Sequence, residues 1–438
     1  MKTPVALLVG SVLVSSLVYG QATEATIDVA EKRTVIDSLC ANLDREYMFP
    51  EIATKYIGAL KNNLRAGLYD QITDPERFAQ RVTQDLAGIH KDEHLVVRYD
   101  PEWVSGTKKR AERDEEAIAR KQRQDRIINY GFQEIEILPG NIGYLRLGGF
   151  SYEYDAYEVA IAAMQFLANT DALIIDLRRN GGGSPEMVQF LCSYVLDNPR
   201  KHLNSFYYKE EEKTTQYWTY TYLPGKRLEK VDVYLLTSNS TFSAAEEFAY
   251  NLKNMKRATV VGEVTGGGAH DNRFLALNDR FMMSLPFARA ENPITKANWE
   301  GVGVEPDVKV PTGIALETAE VLAIRRLAER EKDPRFKKTY EWVAETYDAQ
   351  LNPVTVNVDV LKSYEGVYGP RRITFEDGSL FYQRDGQVRM KMIPLAEDYF
   401  MFRQIDSFRL KILREGDKVI GVEGYTVEGP TDRHLKDQ

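Results

Sequence analysis

Between residues 133 and 312, apolar strand-length runs alternate with amphipathic helix-length runs, and no other feature of this 438-residue chain restricts its fold as tightly. IGYLRL reads as a strand, YEVAIAAMQFLANT as an amphipathic helix, and ALIIDL as the continuous apolar strand of a sheet buried on both faces. The turn RRNGGGS leads into PEMVQFLCSYVLD, where Ser184 and Pro185 mark a helix start. VDVYLLT and ATVVG are further strands, separated by the helix SAAEEFAYNLKN, and ALETAEVLAIRRLAER closes the unit as a helix. Alternation of this kind predicts right-handed crossovers onto a largely parallel sheet, an α/β core over residues 131–330.

The flanks have different textures, in keeping with about three folded units for a chain of this length. Residues 26–100 read as a helical N-terminal cap. PERFAQRVTQDLAGI carries Phe78, Val82, Leu86 and Ile89 at helical spacing, and Pro75 follows Asp74 at a helix start. Residues 101–130 contain GTKKRAERDEEAIARKQRQDR, which mixes both charge signs with almost no apolar stripe and reads as a solvated helix or connector. From 355 to 438, short β segments punctuated by DG, EGD and EG predict an antiparallel β module, with Tyr368, Phe381, Tyr382, Tyr399 and Phe400 as core.

Lys and Arg number 57 against 65 Asp and Glu, a net charge of −8 without a basic face, which argues against nucleic acid as a partner. Residues 1–20 carry one basic residue and then an apolar run, with small residues before a cut after Gly20. They read as a cleavable signal peptide, so the expectation is a secreted or periplasmic protein with no stable membrane anchor after cleavage. Two cysteines, Cys40 and Cys192, are too few for a disulfide framework or a thiolate zinc cluster. Their pairing stays open.

Only five histidines are available to a mechanism that needs imidazole. His90 to His94 spell H-x-x-E-H, the inverted zinc-peptidase pattern, but Gly88 weakens the preceding helix and LVVRY alternates like a strand, so no metal is expected. Ser243 opens a helix after a buried strand. Its hydroxyl sits at the positive end of the helix dipole, either as a nucleophile or as an ordinary cap shared with Thr241 or Ser240. Asn180 to Gly183 form either a plain tight turn or a set of N–H groups facing an anion. Two such sites in neighbouring strand–helix units would make an oxyanion pocket.

GNIGYLRLGGF, DALIIDLRRNGGG, TSNSTFSAAEEFAYNLKNMKRATVVGEVTGGGAH and ENPITKANWEGVGVEPDV, in this order, resemble the tail-specific, C-terminal-processing serine peptidases over roughly residues 26–330. The resemblance implies a crotonase-like peptidase core with Ser243 as nucleophile and the backbone N–H groups of Ala244 and Gly182 as oxyanion hole. Where many members carry a lysine base this chain has Gly268, and it has no PDZ-like insert. Both features resemble the branch of the tricorn core and the interphotoreceptor retinoid-binding protein. That likeness implies His94 as base and Glu300 as its support, with Glu93 standing where the tricorn pattern has a serine. His270 is a second, accessory candidate. The resulting expectation is a secreted serine endopeptidase acting on unstructured peptides or protein tails without metal or organic cofactor. The alternative is a non-proteolytic protein binding a hydrophobic ligand or peptide on the same scaffold.

Overall fold

The structure, a computed structural model, describes residues 26–92, 94–110, 115–209 and 211–437. The run expected to be a signal peptide lies outside the described residues, as does Glu93. Three helices open the chain: α1 (Val29–Glu46), α2 (Pro50–Arg65) and α3 (Pro75–Ala87). Asp28 and Asp74 cap the first and third by accepting the N–H of Glu31 (2.8 Å) and Arg77 (2.9 Å). The helices enclose Leu39, Tyr47, Tyr56, Phe78 and Val82. The chain then forms β1 (Val96–Tyr99), and the charged segment folds as α4 (Pro101–Arg110) and α5 (Glu115–Ile127).

The core begins with β2 (Phe132–Leu138), β3 (Ile142–Leu147), α6 (Ala156–Phe166), β4 (Ala172–Asp176) and α7 (Pro185–Val195). After β5 (His202–Tyr208) and β6 (Lys213–Trp218) come β7 (Asp232–Thr237), α8 (Ala244–Asn254) and β8 (Ala258–Gly262). β9 (His270–Ala276), β10 (Phe281–Glu291), β11 (Val308–Lys309), α9 (Ala315–Arg330) and α10 (Pro334–Leu351) complete it. One sheet has the order β11-β8-β7-β4-β3-β2 and is parallel except for the β2–β3 hairpin. β4 explains why ALIIDL is apolar throughout. Leu173 and Ile175 face α6, α7 and α8, while Ala172 and Ile174 face α9, so both sides of the strand are dry. β4 and β7 are neighbours, and their carboxyl ends hold the glycine turn and Ser243 side by side, the place where open α/β sheets bind ligands.

A second sheet, antiparallel, is foreshadowed in the sequence reading only by LVVRY, which forms β1. Its order is β1-β10-β5-β6, with β9 on the other side of β10. β1 pairs with β10 from Val96↔Ser284 to Tyr99↔Phe281, which stitches the helical cap to the core. His94 lies just before β1 and His270 opens β9, so this sheet determines where both histidines stand.

Beyond α10, short antiparallel strands from Gly366–Tyr368 to Gly429–Leu435 form two sheets around Tyr364, Tyr368, Tyr382, Phe400 and Leu410. Buried Arg409 joins this module to α10: its guanidinium lies 3.7 Å from the Trp342 ring centroid and bonds Glu345 and the Trp342 carbonyl. Cys40 and Cys192 are both free and buried, in separate apolar clusters, so they do not pair. Among the described residues no helix is long and apolar enough to cross a membrane.

Candidate functional site

Ser243 owes its position to two straps. Thr241 Oγ1 donates to the Leu177 carbonyl (2.8 Å) and the Phe242 N–H donates to the Asn180 carbonyl (3.0 Å), binding the loop after β7 to the turn after β4. At Ser243 the backbone reaches φ 53° and ψ −122° before α8 begins. For a residue with a Cβ this is a strained conformation, costing about 1–3 kcal/mol, and it persists only where the surroundings hold it. Glu246 supplies the hold. Its fully buried carboxylate accepts the N–H of Ser243 (2.8 Å) and of Gly268 (2.8 Å) on one oxygen. The other oxygen accepts from Gly267 N–H (2.6 Å) and the Thr265 hydroxyl (2.5 Å). Burial pushes this carboxyl up, and the four donors pull against that rise. Sequence reasoning passed over Glu246, although S-A-A-E has the capping-box spacing that could have drawn attention to it.

The glycine turn closes on the serine from the side. A Cβ on Gly182 would stand 2.8 Å from Ser243 Cβ and 3.0 Å from the Ala244 nitrogen, and φ at Gly182 is +107°. Only glycine permits that approach. Gly182 N–H, expected in the oxyanion hole, donates to Asn180 Oδ1 (2.9 Å), while Gly181 and Gly183 line the cavity beside Ser243. Ala244, at the first position of α8, has no intrahelical acceptor for its N–H and lines the same cavity.

His94 and His270 both reach this cavity of about 330 Å³. His94, buried in the loop between α3 and β1, sets its ring 4.9 Å from that of Phe242, the residue before the serine, at a tilt of 41°, and its backbone N–H donates to Asp92 Oδ1 (3.1 Å). A Cβ at Gly268 would lie 2.7 Å from His94 Cε1 and 2.2 Å from Phe242 Cζ. The imidazole therefore fills the space that a side chain at 268 would need, and a lysine there is incompatible with His94 in this position. His90 shares the same loop, not a helix. Its ring packs on Phe49 and its carbonyl accepts from the Tyr56 hydroxyl (3.1 Å).

His270 is held between two carboxylates. Its Nδ1 is 3.2 Å from Asp92 Oδ2 and 3.4 Å from Glu300 Oε2, while the Tyr47 hydroxyl donates to Asp92 Oδ2 (3.0 Å). Ala269 N–H donates to Glu300 Oε2 (2.6 Å). Burial alone would push the Asp92 carboxyl up, but the hydrogen bond and charge of His270, together with His94, hold it below its ordinary value. Asp92, His270 and Glu300 place a nitrogen and two oxygens within 4.8 Å of one another, and the Tyr47 hydroxyl and the Ala269 N–H bond the two carboxylates as well. Asp92 and Tyr47 were missed from sequence; their partner His270 lies 178 residues from Asp92. Glu300, expected beside His94, makes its described contacts with His270 and Ala269.

The cavity thus gathers a hydroxyl on a strained strand-to-helix turn, helix N-terminal and glycine amides beside it, and two imidazoles with buried carboxylates nearby. The chain belongs to peptidase family S41. Residues 141–310 match the model of peptidase family S41, and residues 26–139 match that of the N-terminal domain of Peptidase_S41 in eukaryotic IRBP. It is 30% identical over 183 residues to carboxyl-terminal-processing peptidase 2, chloroplastic, of Arabidopsis thaliana, covering 40% of this chain and 34% of that protein. It is 26% identical over 181 residues to a carboxy-terminal-processing protease of Bartonella bacilliformis, covering 39% of each. The chain thus spans little more than a third of the length of these curated relatives. Similar solved structures include a putative peptidase from Parabacteroides merdae (19% identity, TM-score 0.44, covering 64% of this chain and 90% of that one). The tricorn protease is another (13% identity, TM-score 0.41, covering 73% and 37%).

Proposed function

We propose that this protein is a serine endopeptidase that hydrolyses unstructured peptides or protein tails outside the cytoplasm, with Ser243 as nucleophile and His94 as base. The observation that carries the reading is the occupation of the space at Gly268 by the His94 ring, which lies against Phe242, the residue before the serine. Ser243 Oγ attacks the scissile carbonyl while His94 takes its proton, and His94 then gives that proton to the departing amine. Water, deprotonated by the same imidazole, releases the acyl group from the serine. The Ala244 N–H and an amide of the glycine turn receive the negative charge that develops on the carbonyl oxygen. Each such donor is worth about 2.7–4 kcal/mol in a comparable hydrolase. Asp92, Tyr47, His270 and Glu300 act as positioning residues that hold the His94 loop against the core.

Incubating the protein and its Ser243→Ala variant with an unfolded peptide library tests this reading. Cleavage by the parent that disappears in the variant is the expected result. If the parent binds peptides and cleaves none, the protein is a binding protein on the same scaffold.

A further inference from the structure

The cavity beside Ser243 has an acidic wall that the mechanism above does not use. Glu247, on the first turn of α8, donates its N–H to the Ser243 carbonyl (2.9 Å) and points its side chain into the cavity lining. The residue is 2% exposed, and its Oε1 has no hydrogen-bond partner among the described residues. Leaving a carboxyl oxygen buried and unbonded is costly, so natural cores seldom do it without a reason. The side-chain amides of Asn204 on β5 and Asn251 on α8 stand close enough to pull its pKa down, and their Nδ2 atoms have no other hydrogen-bond partner among the described residues.

One further carboxylate lines the same space, and a second, outside the lining, acts on both through its charge. Asp271, on β9, lines the cavity directly. Glu186, on the first turn of α7, accepts from the Tyr217 hydroxyl (3.0 Å) and the Ser184 hydroxyl (2.7 Å). Burial pushes the Glu247 carboxyl up to about 8, with the charges of Glu186 and Asp271 adding to the rise. Burial pushes the Asp271 carboxyl up to about 6, with Glu186 adding to the rise and the Asn272 N–H and the charge of Arg273 pulling against it. No lysine or arginine lines the cavity among the described residues. A neighbouring cation, Arg273, has its guanidinium over the Phe287 ring (4.2 Å) and 3.3 Å from Glu46, and its charge offsets part of the rise at Asp271. The wall therefore combines carboxyl groups that repel one another with one buried oxygen that lacks a donor.

We propose that this cavity receives a cationic side chain, lysine or arginine, from the substrate residue next to the scissile bond, with Glu247 as its principal partner and Asp271 as the second. An ammonium or guanidinium supplies the missing donor and relieves the repulsion, whereas an aliphatic chain of the same length leaves Glu247 as it is. A site built around a buried hydrogen-bonding group discriminates strongly against ligands that cannot pair with it. The inference rests on the peptidase reading for the identity of the ligand, but the charge preference of the cavity does not require turnover.

The test uses three peptides that differ only at the residue flanking the cleaved bond: lysine, norleucine or glutamate. For the parent, kcat/KM with lysine should exceed that with norleucine on the order of 10- to 100-fold, with glutamate lowest. In Glu247→Gln the lysine-to-norleucine ratio should fall towards one, chiefly through KM, and in Asp271→Asn it should fall by a smaller factor. Because the readout is a ratio within each variant, partial loss of folded protein does not mimic the effect, and Asp271→Asn serves if Glu247→Gln fails to fold. In parallel, binding of n-butylammonium and of n-butanol is followed by ligand-observed NMR in the parent, Ser243→Ala and Glu247→Gln. Butylammonium binding to the first two and not to the third supports the cationic cavity even if no peptide is cleaved, in which case the peptidase reading alone fails. A parent that prefers norleucine or glutamate, or a lysine preference undiminished in Glu247→Gln, overturns the inference. So does the absence of both a charge preference and butylammonium binding.

Discussion

Replacing Gly268 by alanine puts the claim about His94 under direct strain. The new Cβ would sit 2.7 Å from His94 Cε1 and 2.2 Å from Phe242 Cζ, where ordinary contacts begin at 3.4 Å. Opening both contacts to that distance moves the imidazole carbon by 0.7 Å and the phenyl carbon by 1.2 Å. Overpacking of this size costs about 1–3 kcal/mol of stability. A displacement near 1 Å of a catalytic group costs about 100-fold in rate. Gly266→Ala is the internal comparison, because its Cβ meets Phe242 Cδ2 at 2.7 Å and no atom of His94 is among its nearest contacts. Peptide hydrolysis and thermal melting are measured on both variants. Similar losses of stability are expected, with a loss of kcat/KM that is much larger for Gly268→Ala. A folded Gly268→Ala protein that keeps kcat/KM within about threefold of the parent would refute the reasoning.

Two further substitutions probe the buried carboxyls. The Glu247 carboxyl titrates near 8 in the folded protein against an ordinary 4.5, so between those values the folded state keeps a proton that the unfolded chain has released. Stability therefore falls as pH rises through that window. Glu247→Gln should lose this part of the slope and gain on the parent by up to about 4 kcal/mol above pH 8, read from urea melts at pH 5 and 8.5; parallel slopes in the two proteins would contradict it. Asp92→Asn removes the carboxylate shared by Tyr47, His270 and the His94 N–H, and should cost about 3 kcal/mol while lowering kcat more than it raises KM. Denaturant unfolding and steady-state kinetics check both parts, and an unchanged kcat would remove Asp92 from the positioning network.

What could be read from the sequence was local, and what could not was held together over long range. ALIIDL announced a strand buried on both faces because β4 is covered by α6, α7 and α8 on one side and α9 on the other. The glycine turn and the serine-led helix were legible for the same reason, since each is a strand-to-helix junction written in consecutive residues. The antiparallel sheet, apart from its strand LVVRY, was not. FMMSLPFARAE looks like any apolar run, and its meaning as β10 depends on β1, nearly two hundred residues earlier. Asp92 and Tyr47 drew no attention because their shared environment is made by His270, which arrives on β9. Helix α10 was overlooked because it buries little along its length, with Tyr347 and Ala349 as its deeply covered residues. At the glycine turn the sequence pointed to the right segment, but the hydrogen bond from Gly182 to Asn180 decides which amides remain for a ligand.

The central claim is that Ser243 is a nucleophile activated by His94. The most direct measurement is the rate at which a fluorophosphonate labels the protein, with the modified residue located by mass spectrometry in the parent, His94→Ala and Ser243→Ala. The account predicts modification at Ser243 in the parent, a rate at least about 100-fold lower in His94→Ala, and none in Ser243→Ala. Labelling at another residue, or a His94→Ala protein labelled at Ser243 as fast as the parent, would contradict it.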